Sequence, residues 1–475
     1  LVEIGAFAFN GCQNLGSVAL PESLTTLGSY AFYSCKLLKT IKIPSGVTTI
    51  PYGCFLECSL LESVTIPEGV TTIGEFAFFC SNIKELILPS TVTEIGDNAF
   101  YRPKSIICNA ATPPTLGDNA FDNDITPSIK VPLQSIAAYR QAVGWKNFAN
   151  YYGGEVVADG ITYRIDDNGA MVAAAEVTLT EANIPSVVEF EGNQYAVIKI
   201  NDYVFSGNTN LKAVTLPEGL VEIGAFAFNG CQNLGSVVLP ESLTTLGRDA
   251  FQSCKSLRAV KIPSGVTAIP DQCFYVCSSL ESVIIPEGVM SIGSSAFASC
   301  NLKTLTLPES LTTLGSDAFR YNQMLEKIEI PSKVTEIPQS CFERCLSLES
   351  VTIPEGVTAI GDDAFQSCNL NALTLPESLE AIGSYAFFGN RSLKSVNIPA
   401  KVKTIESYAF ASCGLTDLVI PEGVQAIGNY AFGWNSLKNL TLPSTITSIG
   451  ESVFYDNYYL QLIICNAAYA WRQCI

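Results

Sequence analysis

The sequence predicts a β-rich solenoid of two arrays, with parallel strands on one face, irregular or 3₁₀ segments on the other, and capping segments between the arrays. Three observations carry this. A proline marks a repeat at Pro21, Pro44, Pro67 and Pro89, and again at Pro217, Pro240, Pro263, Pro286, Pro308, Pro331, Pro354, Pro376, Pro399, Pro421 and Pro443. Within the two runs the interval is 23 residues eight times and 22 residues five times. Eleven residues after every one of these prolines stands a phenylalanine. A period this short and regular makes each repeat one coil, which buries its apolar face only by stacking on its neighbours.

The elements of one coil follow in order from Ser278 to Cys300. Leu280 leads in, and Val283 and Ile285 alternate as in a strand with one buried face. Pro286 has no N–H to give the next rung and ends the strand. Glu287-Gly288 bends the chain, Val289 and Ile292 open a second extended piece, and Gly293 turns it. Ala296-Phe297 sends a ring inward before the chain returns through Cys300. Stacking places Phe32, Phe55, Phe78 and Phe100 in one apolar spine. Phe228, Phe251, Phe274, Phe297, Phe319, Phe342, Phe365, Phe387, Phe410, Phe432 and Phe454 form the other.

This pattern, L-x-x-V-x-I-P-x-x-V-x-x-I-G-x-x-A-F-x-x-C in the coil just read, resembles the leucine-rich repeats of the BspA-like class, over about 360 of the 475 residues. The resemblance implies a leucine-rich repeat solenoid and a bacterial protein, secreted or attached to the cell surface. It also implies adhesion to host extracellular matrix proteins and to other bacteria. Such repeats use an inward ladder of interchangeable Asn and Cys that bonds neighbouring backbone. The matching slot, fourteen residues after the proline, holds Cys35, Cys58, Cys231, Cys254, Cys277, Cys300, Cys345, Cys368 and Cys413, with Asn322, Asn390, Asn435 and Asn457 alternating freely among them. Ser81 and Pro103 are the exceptions.

The period breaks between residues 109 and 200. Residues 1–108 are the first array, and 109–150 read as its C-terminal cap. A short amphipathic helix is expected there, with Ile136, Tyr139, Val143 and Phe148 on one face. Residues 151–200 read as a small β N-terminal cap for the second array, 201–465, and 466–475 as a truncated tail. The arrays are copies: Leu1 to Pro51 matches Leu220 to Pro270 at an offset of 219. The first array starts in mid-coil and the second stops where a cap is expected, so the chain reads as a piece of a longer duplicated protein. An export leader is absent or already removed.

Composition narrows the chemistry. Charged residues are 15%, and Lys plus Arg is 27 against 45 Asp plus Glu, a net charge of −18. No basic stripe offsets this, which argues against nucleic acid. There is no histidine, so Ser–His–Asp and Cys–His catalysis and the commonest zinc ligand are excluded. No run of 18 apolar residues spans a membrane. Seventeen cysteines include the pairs Cys54/Cys58, Cys273/Cys277 and Cys341/Cys345, each of which falls where Ile-Pro replaces Ile-Gly and marks a coil subtype. Zinc would need four converging ligands. Seventeen is odd, so one thiol is free or pairs between chains. Glu68, Glu218, Glu287 and Glu355 share the Pro-Glu-Gly bend and read as solvated structure, and Asp166-Asp167 and Asp362-Asp363 as turns.

No enzyme, metal or cofactor is therefore expected, and surface remains. The outward strand residues Lys39, Lys42, Glu281, Ile284, Lys303, Thr306, Glu349 and Thr352 form a candidate binding face. Tyr30, Phe76, Phe226, Tyr385, Tyr408 and Tyr430, with Tyr33, Phe79, Tyr275, Phe388 and Tyr455, gather instead around the Ala-Phe segment, as packing or as a ridge. The expected function is binding of a host extracellular matrix or cell-surface protein. A carbohydrate-capturing protein and a structural spacer are the alternatives.

Overall fold

The computed structural model describes residues 1–122 and 126–466, so the predicted tail past Asn466 lies outside the described residues. Most coils lay down two short strands that stack in parallel on the coil before. The first alternates exposed, buried, exposed, as in Ser282–Ile284. It pairs with the preceding coil in the register Ala259↔Ser282, Val260↔Val283, Lys261↔Ile284. The second is two residues long, as in Ser291–Ile292, and pairs Ala268↔Ser291 and Ile269↔Ile292. A slip of one residue would send Val283 outward and Ile284 into the core, so the pattern fixes the register.

The third side of the coil is built of turns in which two residues per coil adopt left-handed backbone, for example Ser295 (φ 54°) and Ser299 (φ 57°). The reason lies in the hydrogen bonds. Ser295, Phe297 and Ser299 direct their N–H groups to Ser316, Ala318 and Arg320 of the next coil, while Ala296 and Ala298 bond within their own. Alternating the backbone hand lets every second amide point along the stack. The 3₁₀ segments among the described residues lie elsewhere, at Leu133–Ser135 and Trp145–Asn147. Gly315 is required by close approach: a Cβ there would lie 2.3 Å from the Ser294 nitrogen.

The chain forms two compact units. One comprises Leu1–Val157, Tyr163–Ala170 and Glu189–Tyr195, the other Ala158–Thr162, Met171–Val188 and Ala196–Ile475. In the first unit, Ser128–Lys130 and Tyr151–Tyr152 extend the ladder begun by Glu85–Leu88 and Ser105–Cys108. The helix there is Ile136–Gln141, and it buries Ile136 and Tyr139. Val143 does not share that face: Ala142 is already extended, and Val143 is 80% exposed. Trp145 takes the inward place and packs 5.4 Å from the ring of Phe121, and Phe148 is buried beside it. Arg140 pairs with Asp166 at 2.9 Å and with Asp167, in the turn between the strands Ile161–Ile165 and Ala170–Ala175.

In the second unit, Glu181–Asn183 pairs in parallel with Ala213–Thr215, and Lys199↔Glu222 starts the second ladder. Phe205 stacks 5.0 Å from Phe228, so the spine begins one coil before the marker proline does. Phe9 and Phe121 extend the first spine in the same way. An Ala-Phe dipeptide at 120–121 and the spacing Phe205-x-x-Asn208 were the sequence signals available for two of them.

Candidate binding surfaces and the inward ladder

Inside each coil the phenylalanine rings of the second unit lie 5.0–5.9 Å apart and within 12° of parallel. This offset stack fills the core, and Phe454 at its end is half-buried.

Next to the spine runs the ladder. Each cysteine donates its Sγ–H to the carbonyl of the phenylalanine 26 residues earlier: Cys58 to Phe32 at 3.2 Å, Cys231 to Phe205 at 3.1 Å, Cys300 to Phe274 at 3.2 Å. Cys35, Cys254, Cys277, Cys345, Cys368 and Cys413 repeat the bond at 3.2–3.4 Å. Asparagine does more. Asn322 donates Nδ2 to Phe297 at 2.8 Å and to its own coil's Phe319 at 2.9 Å, and its Oδ1 accepts the Leu302 N–H at 3.1 Å.

That third bond shows that the two residues are not exchanged freely, as the sequence pattern suggested. Asn322, Asn390, Asn435 and Asn457 each follow a coil of 22 residues, whereas ladder cysteines follow coils of 23. In a 23-residue coil the leucine before the strand donates to the ladder residue's own carbonyl, as Leu280 does to Cys277 at 2.8 Å. A 22-residue coil is one residue short of closing that turn. Leu302, Leu370, Leu415 and Leu437 instead donate to Oδ1 of the next asparagine, at 3.0–3.2 Å. The remaining short coil has Ser81, whose buried Oγ lacks a partner, followed by Pro103 in the next slot.

The ladder thiols are poor nucleophiles. Burial pushes Cys58, Cys231, Cys277, Cys345 and Cys413 up to about 12, far from the thiolate form that reacts or binds metal. Cys54, Cys273 and Cys341 are fully buried and are pushed up by the same desolvation. Among the described residues no three Cys, Asp or Glu side chains converge as a metal site would need.

The bend glutamates are more than solvated surface. Glu68 accepts the N–H and hydroxyl of Ser90 in the next coil, at 3.0 and 2.8 Å. Glu287 takes the N–H groups of Glu309 and Ser310, and Glu355 those of Glu377 and Ser378, at 3.0–3.2 Å. These bonds hold the Glu68 carboxyl below its ordinary value. Asp362 likewise accepts the Ser384 N–H at 2.7 Å.

On the strand face, Lys39 and Lys42 belong to the first unit and Glu281, Ile284, Lys303, Thr306, Glu349 and Thr352 to the second, all exposed. Lys42 pairs with Glu22 and Lys303 with Glu281, each at 2.7 Å. Between the polar residues stand exposed β-branched side chains: Ile284 is 61% exposed, Val238 80% and Val419 66%. The last two escaped sequence reasoning, because an outward valine in a strand reads like an inward one.

The aromatics differ between the units. Tyr385, Tyr408 and Tyr430 stack at 4.5 and 5.0 Å within 13° of parallel, and Trp434 continues the stack at 5.4 Å. Ring faces there cover one another. In the first unit Tyr30, Tyr33, Tyr52, Phe76 and Phe79 meet at 63–87°, edge to face.

The model of the BspA type leucine rich repeat region matches residues 1–107, 198–326, 321–433 and 380–470, in six copies. The chain belongs to the BspA-type leucine-rich repeat family. This BspA-type chain is also similar to solved structures. A leucine rich cell surface protein of Faecalibacterium prausnitzii is 26% identical over 68% of this chain and 98% of its own, with a TM-score of 0.46. A leucine-rich repeat protein of Bacteroides ovatus is 24% identical over 65% and 88%, with a TM-score of 0.47. The pneumococcal vaccine antigen PcpA is 18% identical over 66% and 82%, with a TM-score of 0.40. No curated protein matches the chain.

Proposed function

We propose that this BspA-type chain is a non-enzymatic binding protein of the bacterial cell surface or its secreted fraction. Its first-strand face would hold a host extracellular matrix or cell-surface protein. The observation that carries the reading is the exposure of Val238, Ile284 and Val419 on a sheet face. Charged and hydroxyl side chains such as Lys261, Lys303, Thr306 and Thr352 accompany them. Exposed apolar groups within a polar surround mark protein contact surfaces, and a preformed backbone loses little ordering entropy on binding. Family membership supports the same reading by analogy, since a fold alone names no partner.

The test is a binding screen of the purified chain against immobilised matrix proteins and a glycan panel. The expected result is saturable binding to a matrix protein, weakened about tenfold or more by Val238→Glu with Ile284→Glu, at unchanged melting temperature. Binding that ignores this double substitution would remove the strand face from the reading. Glycan binding alone would favour carbohydrate capture, and silence on both panels a structural spacer.

A further inference from the structure

From Tyr30 onward the aromatic side of the first unit passes edge to face from coil to coil, where Tyr385, Tyr408 and Tyr430 of the second unit stack. Tyr30, Tyr33, Tyr52, Phe76, Phe79 and Tyr101 follow one another over successive coils, meeting edge to face at 63–87°. An edge-to-face neighbour leaves the other face of a ring uncovered by that contact, although at Tyr30 one face is taken by Phe7, stacked at 4.9 Å. Tyr52 and Tyr101 are exposed, and the other four are half-buried. Two carboxylates border the rings: Glu57 lies beside the Tyr33 hydroxyl, and Glu75 beside Tyr52. The chain around them carries a net charge of −18.

The molecule shows what this chemistry attracts. On this same turn side Arg102 lies 5.3 Å over the ring of Tyr101, and Arg248 lies 5.2 Å over Phe226. Arg320 and Arg344 lie 4.9 and 5.5 Å from the ring of Tyr321. A guanidinium stacks on an aromatic face and pairs with a carboxylate at once, which an ammonium does less well.

We propose that the ridge Tyr30, Tyr33, Tyr52, Phe76, Phe79 and Tyr101 is a docking surface for an extended, arginine-rich segment of a protein ligand. The proposal rests on the reading of the chain as a protein binder and names the chemistry of one contact. The ridge runs over four coils, so three steps of about 4.8 Å make it about 14 Å long. An extended segment of about four residues spans that length. Arginine guanidinium groups cover ring faces of Tyr52, Phe76 and Phe79 beside the one Arg102 already covers on Tyr101, and meet Glu57 and Glu75, while the negative potential of the chain steers the segment in.

The test is fluorescence anisotropy on the full chain with labelled nona-arginine and nona-lysine peptides, at about 50 and about 300 mM salt, the higher value screening diffuse attraction. At the higher salt nona-arginine binds about tenfold more tightly than nona-lysine. The triple variant Tyr52→Leu, Phe76→Leu, Tyr101→Leu loses about tenfold and erases that difference. The Val238→Glu, Ile284→Glu variant keeps it. If the triple variant lowers the melting temperature, Tyr52→Leu alone decides, with an expected loss of about two- to fivefold. Equal binding of the two peptides, or unchanged nona-arginine binding in the variants, overturns the ridge. Matrix-protein binding that survives such a result leaves the protein-binding reading standing, so the two fail separately.

Discussion

At the residue scale, the choice between cysteine and asparagine in the ladder is set by the length of the coil before it. Cys300 supplies one weak donor to one carbonyl. Asn322 satisfies the Phe297 and Phe319 carbonyls and the Leu302 N–H, all buried. An unsatisfied buried group costs about 1–3 kcal/mol, so Asn322→Ala is expected to cost about 3 kcal/mol and Cys300→Ala about 1–2 kcal/mol in chemical denaturation. Inserting one serine after Asn301 restores a coil of ordinary length and lets Leu302 close its own turn. In that background Asn322→Cys is expected to be tolerated, whereas in the native background it is not. Equal costs in both backgrounds would sever the link between coil length and ladder residue.

At the element scale, the Pro-Glu-Gly bend joins consecutive coils through charge-assisted hydrogen bonds. Serine N–H and hydroxyl groups of the next coil hold the carboxyls of Glu68 and Glu422 below their ordinary value. Lys42 and Lys261 do the same for Glu22 and Glu241. A carboxyl lowered on folding adds stability that is complete above its unfolded value, about 4.3, and is lost as pH falls through the lower native value. Asp249, Asp317 and Asp363, raised chiefly by burial, act in the opposite sense. The comparison that isolates the bend is therefore between variants. Melting temperature should fall below about pH 4.5 in the native chain, and fall less steeply with Glu68→Gln and Glu422→Gln. Parallel curves would show that these bonds do not change strength with ionisation.

At the scale of the whole molecule, each coil touches only its neighbours, so stability is a chain of local terms rather than one central core. Phe319 sits between Phe297 at 5.7 Å and Phe342 at 5.4 Å. Phe319→Ala is expected to cost about 3–5 kcal/mol. Hydrogen exchange should accelerate in the coils bearing Phe297, Phe319 and Phe342, while those around Phe410 and Phe432 keep their protection. Uniform acceleration through residues 201–465 would instead indicate that the array opens as one cooperative body.

The solenoid was legible because its constraint is periodic. Proline, phenylalanine and the ladder slot recur at fixed spacing, and residues at equal phase must stack wherever coils repeat. The helix expected between residues 109 and 150 was legible only in part: Ile136 and Tyr139 turn inward, but the helix ends at Gln141 and leaves Val143 in water. No periodicity reports where a two-turn helix stops, because Trp145 filling the space beside Phe121 decides it.

What the sequence determined by itself is the phase, which residues of each coil face in, since burial against identical neighbours leaves one arrangement of the repeat. The tertiary structure alone decided what depends on contacts between coils 20 to 26 residues apart. The Asn322 Oδ1 bond to Leu302, the Glu68 bond to Ser90, and the edge-to-face rings of Tyr30 and Tyr52 are of this kind. Each joins groups whose positions follow from coil length and backbone hand, and these add up only when one coil is laid on the next.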